Sequence, residues 1–149
     1  MKRSTIAKTF AMGAVAALVL GLTPMAKAER KECSVATLEG SFARTDTGFV
    51  AAGPLTGLSL MTFDGNGTFK FAGSASVNGI PGESEGTGTY TVNPDCTGKY
   101  TSQTSTGRTS TAFFVITNNG NGIQILPTNP GASLICIARK VFPVGNPKD

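Results

Sequence analysis

Beyond residue 30 the chain alternates apolar and polar positions with a period of two, in short runs broken by Gly, Asn, Asp and Pro. That is the signature of half-buried strands, and no stretch there repeats at the helical period. Eight runs stand out: LEGSFARTDTG from Leu38, TGLSLMTF from Thr56, TFKFAGSASV from Thr68, GTGTYTV from Gly86, GKYTSQT from Gly98, STAFFVIT from Ser110, GIQILP from Gly122 and SLICIARKV from Ser133. Between them, DGNG (64–67), NPDCTG (93–98) and NNGNG (118–122) supply residues that tolerate positive φ or preset a turn. Short connections make successive strands antiparallel neighbours. The expected fold is therefore all-β, an eight-stranded antiparallel up-and-down barrel whose closure removes exposed edges. A β-sandwich of the same strands is the alternative, and the lack of Trp and of the immunoglobulin cysteine spacing speaks against that particular sandwich.

Alternation also nominates a core: Phe69, Phe71, Tyr90, Val92, Phe113, Val115, Ile123, Ile125, Ile135 and Ile137. Gly73, Ala75, Gly86 and Gly88 fall on the same parity, where small residues either make room for large ones opposite or leave a cavity. The pattern leaves both open. TSQTSTGRTST is polar on both parities, so that hairpin is expected in solvent or at an edge.

The first 28 residues read differently. Lys2, Arg3 and Lys8 precede an apolar run from Phe10 to Leu22, and Ala26-Lys27-Ala28 is the small-x-small pattern of a signal-peptidase site. The expectation is a helical signal peptide over 1–28, cleaved after Ala28, and an exported protein, periplasmic or secreted. Residues 29–149 then form one domain, with a frayed tail from about 143. No stable membrane anchor is expected: no later segment has transmembrane length, and Cys33 follows ERKE rather than a small residue. Of the 13 Lys+Arg, four leave with the signal, and none of the 9 Asp+Glu does, so the remaining 121 residues balance at nine against nine. The basic character belongs to the targeting segment, which removes the case for nucleic acid.

LEGSF, LMTFDGNGTFKFAGSASVNG, GTGTYTVNPDCTGKYT and FFVITNNGNGIQIL, in that order, resemble a family of short secreted bacterial proteins of uncharacterised function. The likeness runs over roughly residues 38–139 and rests on the FDGNG turn and the GTYTVNxDCTG hairpin. It implies a calycin-like eight-stranded barrel, similar to those of allene oxide cyclase and dirigent proteins. It transfers no active site, because the shared motifs are turns.

Three cysteines in an exported chain suggest one disulfide and one free thiol. Cys33 precedes strand 1, and in a meander the turn after strand 4, which carries Cys96, lies at the same end. Cys136 sits mid-strand in LICIA, where cysteine behaves as a small hydrophobe. Cys33–Cys96 is thus the expected bridge, worth roughly 4 kcal/mol in the chain-entropy model. A three-thiolate zinc site would need a fourth ligand, and the chain has no His. In DGNGT, Asp64, Asn66 and Thr68 alternate as oxygen donors, but a helix–loop–helix calcium loop needs Gly sixth and Glu twelfth, where Phe69 and Ala75 stand. A hairpin turn explains the same residues. No metal or cofactor is expected.

Catalysis is hard to assemble without His, the commonest general base. Glu83 and Glu85 share one face of PGESEG, and with Glu39 they are the nearest candidates for a carboxylate of a cyclase or isomerase. The leading expectation is instead a non-catalytic barrel that binds a small apolar or amphipathic ligand among Phe69, Phe71, Tyr90 and Phe113, in a cavity of several hundred Å3. The second is a structural or interaction protein of the cell envelope or secretome, working through its surface or through Cys136.

Overall fold

The computed structural model describes residues 32–142. The expected signal peptide over 1–28 and the expected tail from about 143 lie outside them. A 3-10 turn, Val35–Leu38, leads into eight strands: β1 Glu39–Val50, β2 Gly53–Asp64, β3 Thr68–Val77, β4 Ile80–Val92, β5 Thr97–Thr104, β6 Thr109–Thr117, β7 Gly122–Pro127 and β8 Ser133–Lys140. Each pairs antiparallel with the next and β8 pairs with β1, so the sheet closes as an up-and-down barrel. Among the described residues no helix is long and apolar enough to cross a membrane.

One strand begins well before the sequence pattern suggested. β4 starts at Ile80 rather than Gly86, because Asn78 (φ 51°) and Gly79 (φ 82°) form a two-residue turn whose positive φ values match the twist of a hairpin. Glu83 and Glu85 are therefore strand residues, both exposed on the outer wall.

The barrel has a closed base and a mouth. At the base the 3-10 turn lies across the opening with Leu38 fully buried, and the Tyr90 hydroxyl donates to the Val35 carbonyl at 2.9 Å. The Cys33–Cys96 disulfide is formed, with a Cα separation of 4.9 Å. It sits beside backbone bonds from Cys33 N to Pro94 O and from Ile116 N to Cys96 O. A thiol at a turn tip is thus a staple that holds the N-terminal segment over the base. Leu38, Phe42, Phe63, Phe69 and Tyr90 fill this half, with Phe63 5.2 Å from both Phe69 and Tyr90.

The small inward residues mostly make room for rings. Phe69 faces Gly88 and Phe71 faces Gly86 across the β3–β4 pairing. A Cβ at Gly88 would stand 2.5 Å from the Phe69 ring, and one at Gly86 2.9 Å from the Phe71 ring. Phe114 lies over Gly98 in the same way. Aromatic rings laid over glycines let the sheet coil tightly and still fill its interior.

Four of the expected core positions point outward instead. Phe113, Ile135 and Ile137 are exposed, and Val115 shares their parity, while Phe114, Ile116, Leu134, Cys136 and Ala138 face in. Both parities of FFVI and LICIA are apolar, so alternation cannot choose between them. Register chooses: Leu134, Cys136 and Ala138 oppose Gly48, Asp46 and Arg44, where the interior has space only for modest side chains.

Candidate functional site: a charged pair inside the barrel

On β1 the inward parity is set by Phe42, and it carries Arg44 and Asp46 into the barrel. The Arg44 Nε donates to Asp46 Oδ1 at 2.6 Å, and the two side chains are only 16% and 13% exposed. Nη1 faces the Met61 sulfur at 3.9 Å and Nη2 the Cys136 sulfur at 3.7 Å. Sulfur is a weak acceptor, so most of the five guanidinium N–H groups retain donor capacity.

Register explains why so large a group fits. Arg44 opposes Ser59, which opposes Gly73, which opposes Ser84; the next row toward the mouth is Asp46, Gly57, Ala75 and Gly82. Beside the charged pair these rows hold only small residues. Ser59, Gly73, Ala75 and Ser84 are half-buried, whereas the inward residues of the base are buried outright. One row further out, Leu55 and Val77 make an apolar collar joined by Val50. Moving inward from the mouth, the lining passes from apolar to charged and then to aromatic core.

Burial by itself would pull the Arg44 pKa down, but the charges of ionised Tyr100, Asp46 and ionised Cys136 together raise it; at neutral pH, where the phenol and thiol are uncharged, the Asp46 carboxylate is the countercharge beside it. Burial pushes the Cys136 thiol up to about 12 against the opposing pull of Arg44. Tyr100 is likewise raised by burial, with Arg44 opposing. At neutral pH both remain protonated, and a protonated, buried thiol is no nucleophile. What the cluster offers is a fixed cation, a carboxylate, a phenol and a thiol. That is chemistry for holding a polar group.

Three of the four expected ligand residues are brought together, the Phe69 ring lying 6.4 Å from both Phe71 and Tyr90, and Phe113 is not. Phe69 and Tyr90 are packed into the base and Phe113 lies on the outer wall; Phe71, beside Met61, is the one that borders the charged pair. The apolar cavity expected among them is filled by their own rings. Glu39, Glu83 and Glu85 are exposed, and the inward carboxylate is Asp46. Cys136 is free and buried. In the Asp64 turn the carboxylate already accepts from Asn66 N, Thr68 N and the Thr68 hydroxyl, as a hairpin turn requires. Among the described residues no three His, Cys, Asp or Glu side chains cluster as metal ligands. Two open, adjoining concavities of about 660 and 570 Å3 lie on the outer wall and share Thr62, Lys70, Thr87 and Gln103.

Sequence reasoning passed over Arg44 and Asp46 because charged residues in a strand default to the solvent face. The usable signal was their parity with Phe42. No family model matches the chain, and no curated protein matches it.

Proposed function

We propose that this chain is an exported, non-catalytic barrel, one of the short secreted bacterial proteins its turn motifs resemble. In this reading it binds a small amphipathic molecule at its mouth. The polar end of the molecule rests on Arg44 and Asp46, and its apolar part lies against Phe71, Leu55 and Val77. The observation that carries this is an ion pair held inside a small barrel next to small, half-buried residues. A buried pair is a poor way to stabilise a fold, since a hydrophobic replacement of similar volume does as well or better. Its guanidinium also faces sulfur where a better acceptor from a ligand would bind more strongly. The filled base favours a molecule seated at the mouth over one engulfed by the barrel.

The test is a titration of the exported protein with a fluorescent probe made of an alkyl chain and a carboxylate head. Wild type is compared with the double variant Arg44→Met/Asp46→Leu and with Ser84→Phe, which places a ring in the row of Arg44. Saturable binding that weakens at least about tenfold in both variants, a difference of 1.4 kcal/mol, with unchanged far-UV circular dichroism, is the expected result. No saturable binding by wild type, or equal binding by all three, refutes the reading.

A further inference from the structure

Arg44 and Asp46 are joined by one bond, Nε to Oδ1, rather than by a two-pronged fork. Each partner therefore keeps hydrogen-bonding capacity. On the guanidinium, Nη1 and Nη2 meet the sulfurs of Met61 and Cys136, which engage a donor only weakly. On the carboxylate, Oδ2 lies over Gly57, 3.3 Å from the point a Cβ there would occupy. The Cys136 thiol is the other donor beside this carboxylate, and a weak one. Free donors and a free acceptor thus stand side by side in a pair that is neutral as a whole.

In the mouth half of the barrel, among the described residues, no other charged residue takes an inward strand position. Hydroxyls stand there instead. Ser59 and Ser84 share the row of Arg44, and Ser102 is one inward position nearer the mouth than Tyr100, which faces Arg44. Among the described residues no enclosed polar side-chain atom lacks a partner, and these three hydroxyls bond to no other residue, so they are open to solvent.

Head groups of different charge meet this lining differently. A carboxylate accepts from Arg44 but lies beside the Asp46 carboxylate. An ammonium donates to Asp46 but lies beside the guanidinium. Like charges at contact distance in a partly buried setting repel strongly. Each of these heads also leaves one member of the pair unanswered. A hydroxyl both donates and accepts, so two adjacent hydroxyls can accept from Nη and donate to Oδ2 together, with no charge to desolvate.

We propose that the molecule held at the mouth is uncharged and carries a vicinal-diol head on an apolar chain, as in a glycerol monoether or an alkyl glycoside. This rests on ligand binding at the mouth and names the head group selected there. Further hydroxyls of a sugar head would find Ser59, Ser84 and Ser102, whose own hydroxyls turn to donate or accept.

Isothermal titration calorimetry of the exported protein with a hexyl chain bearing different heads tests this: a 1-O-glycerol ether, a β-glucoside, a carboxylate and an ammonium. Both diols should bind saturably, and the carboxylate and ammonium at least about tenfold more weakly, the equivalent of one hydrogen bond to a charged group. Methylating both hydroxyls of the glycerol ether keeps the acceptors and removes the donors, and should cost as much. Asp46→Asn leaves the Arg44 cation without its countercharge and should put the carboxylate ahead of the diols. Should that variant fail to fold, the wild-type ranking decides alone. The tighter of the two diols tells a sugar head from a glyceride head. A carboxylate or ammonium that matches the diols, with all binding lost in Arg44→Met/Asp46→Leu, overturns the diol and leaves mouth binding standing. A diol preference that Arg44→Met/Asp46→Leu preserves also overturns it. No saturable binding by any of these compounds overturns both.

Discussion

Gly88 stands directly opposite Phe69 in the β3–β4 pairing, and the Phe69 ring occupies the space a side chain at residue 88 would take. The ring in turn lies 5.3 Å from Tyr100 and 5.2 Å from Phe63, so it has nowhere to retreat. Gly88→Ala should therefore destabilise the barrel by about 1–3 kcal/mol, the range for overpacking a filled core. Adding Phe69→Leu should recover part of that loss, giving a coupling that a urea-unfolding double-mutant cycle measures. Additive losses would mean the ring and the glycine do not compete for space.

The Arg44–Asp46 pair should reveal its role through stability. Arg44→Met leaves an uncompensated carboxylate, and Asp46→Leu an uncompensated guanidinium, in a mostly buried setting. Each single change should cost about 3 kcal/mol, the lower end for buried pairs because the mouth admits some water. The double variant should lie within about 1 kcal/mol of wild type or above it. A double variant as unstable as either single one would make the pair a structural requirement.

At high pH the buried thiol should matter. The ordinary Cys value is 9.0 and burial pushes Cys136 up to about 12. Below 9 both folded and unfolded chains hold the proton, and stability is unaffected. Between 9 and 12 the unfolded chain releases it and the folded chain does not, so stability falls as pH rises, by about 1.4 kcal/mol per unit from this group. Tyr100, also raised by burial, acts in the same direction at higher pH. Cys136→Ala should make the alkaline limb of thermal unfolding shallower between 9 and 12; an unchanged limb would show that the thiol does not titrate as described.

At low pH the turns take over. Asp64 is held below its ordinary 3.8 chiefly by the Thr68 hydroxyl, with backbone Asn66 and Thr68 adding to it, and Asp95 by the Thr97 side chain and backbone. Depressed carboxyl values stabilise the fold above the ordinary value and lose that contribution as pH falls through the folded one. Asp64→Asn should lower the melting temperature at pH 6 and flatten its decline below pH 4. If the variant declines as steeply as wild type, the acid sensitivity arises elsewhere.

Much of this molecule was legible in the sequence, and the exceptions share a cause. Period-two alternation and turns such as DGNG and NPDCTG specify a meander, and strand direction alone places Cys33 beside Cys96. Side-chain parity was legible where apolar and polar positions alternate cleanly, as at Phe69 and Phe71 or Ile123 and Ile125. It was not legible in FFVI and LICIA, where both faces are apolar and cross-strand register decides. The same ambiguity hid the outward turn of Ile135 and Ile137, which look like core. The charged pair was hidden by a sound default, since Arg and Asp are almost never fully buried unless paired. Where local expectation fails in this way, function is the first explanation to test.

The most direct measurement is native mass spectrometry of the protein recovered from its own compartment, beside the Arg44→Met/Asp46→Leu variant prepared identically. The account predicts that wild type carries a small molecule released on gentle activation and that the variant arrives bare. A wild type with no adduct, or the same adduct on both proteins, would contradict it.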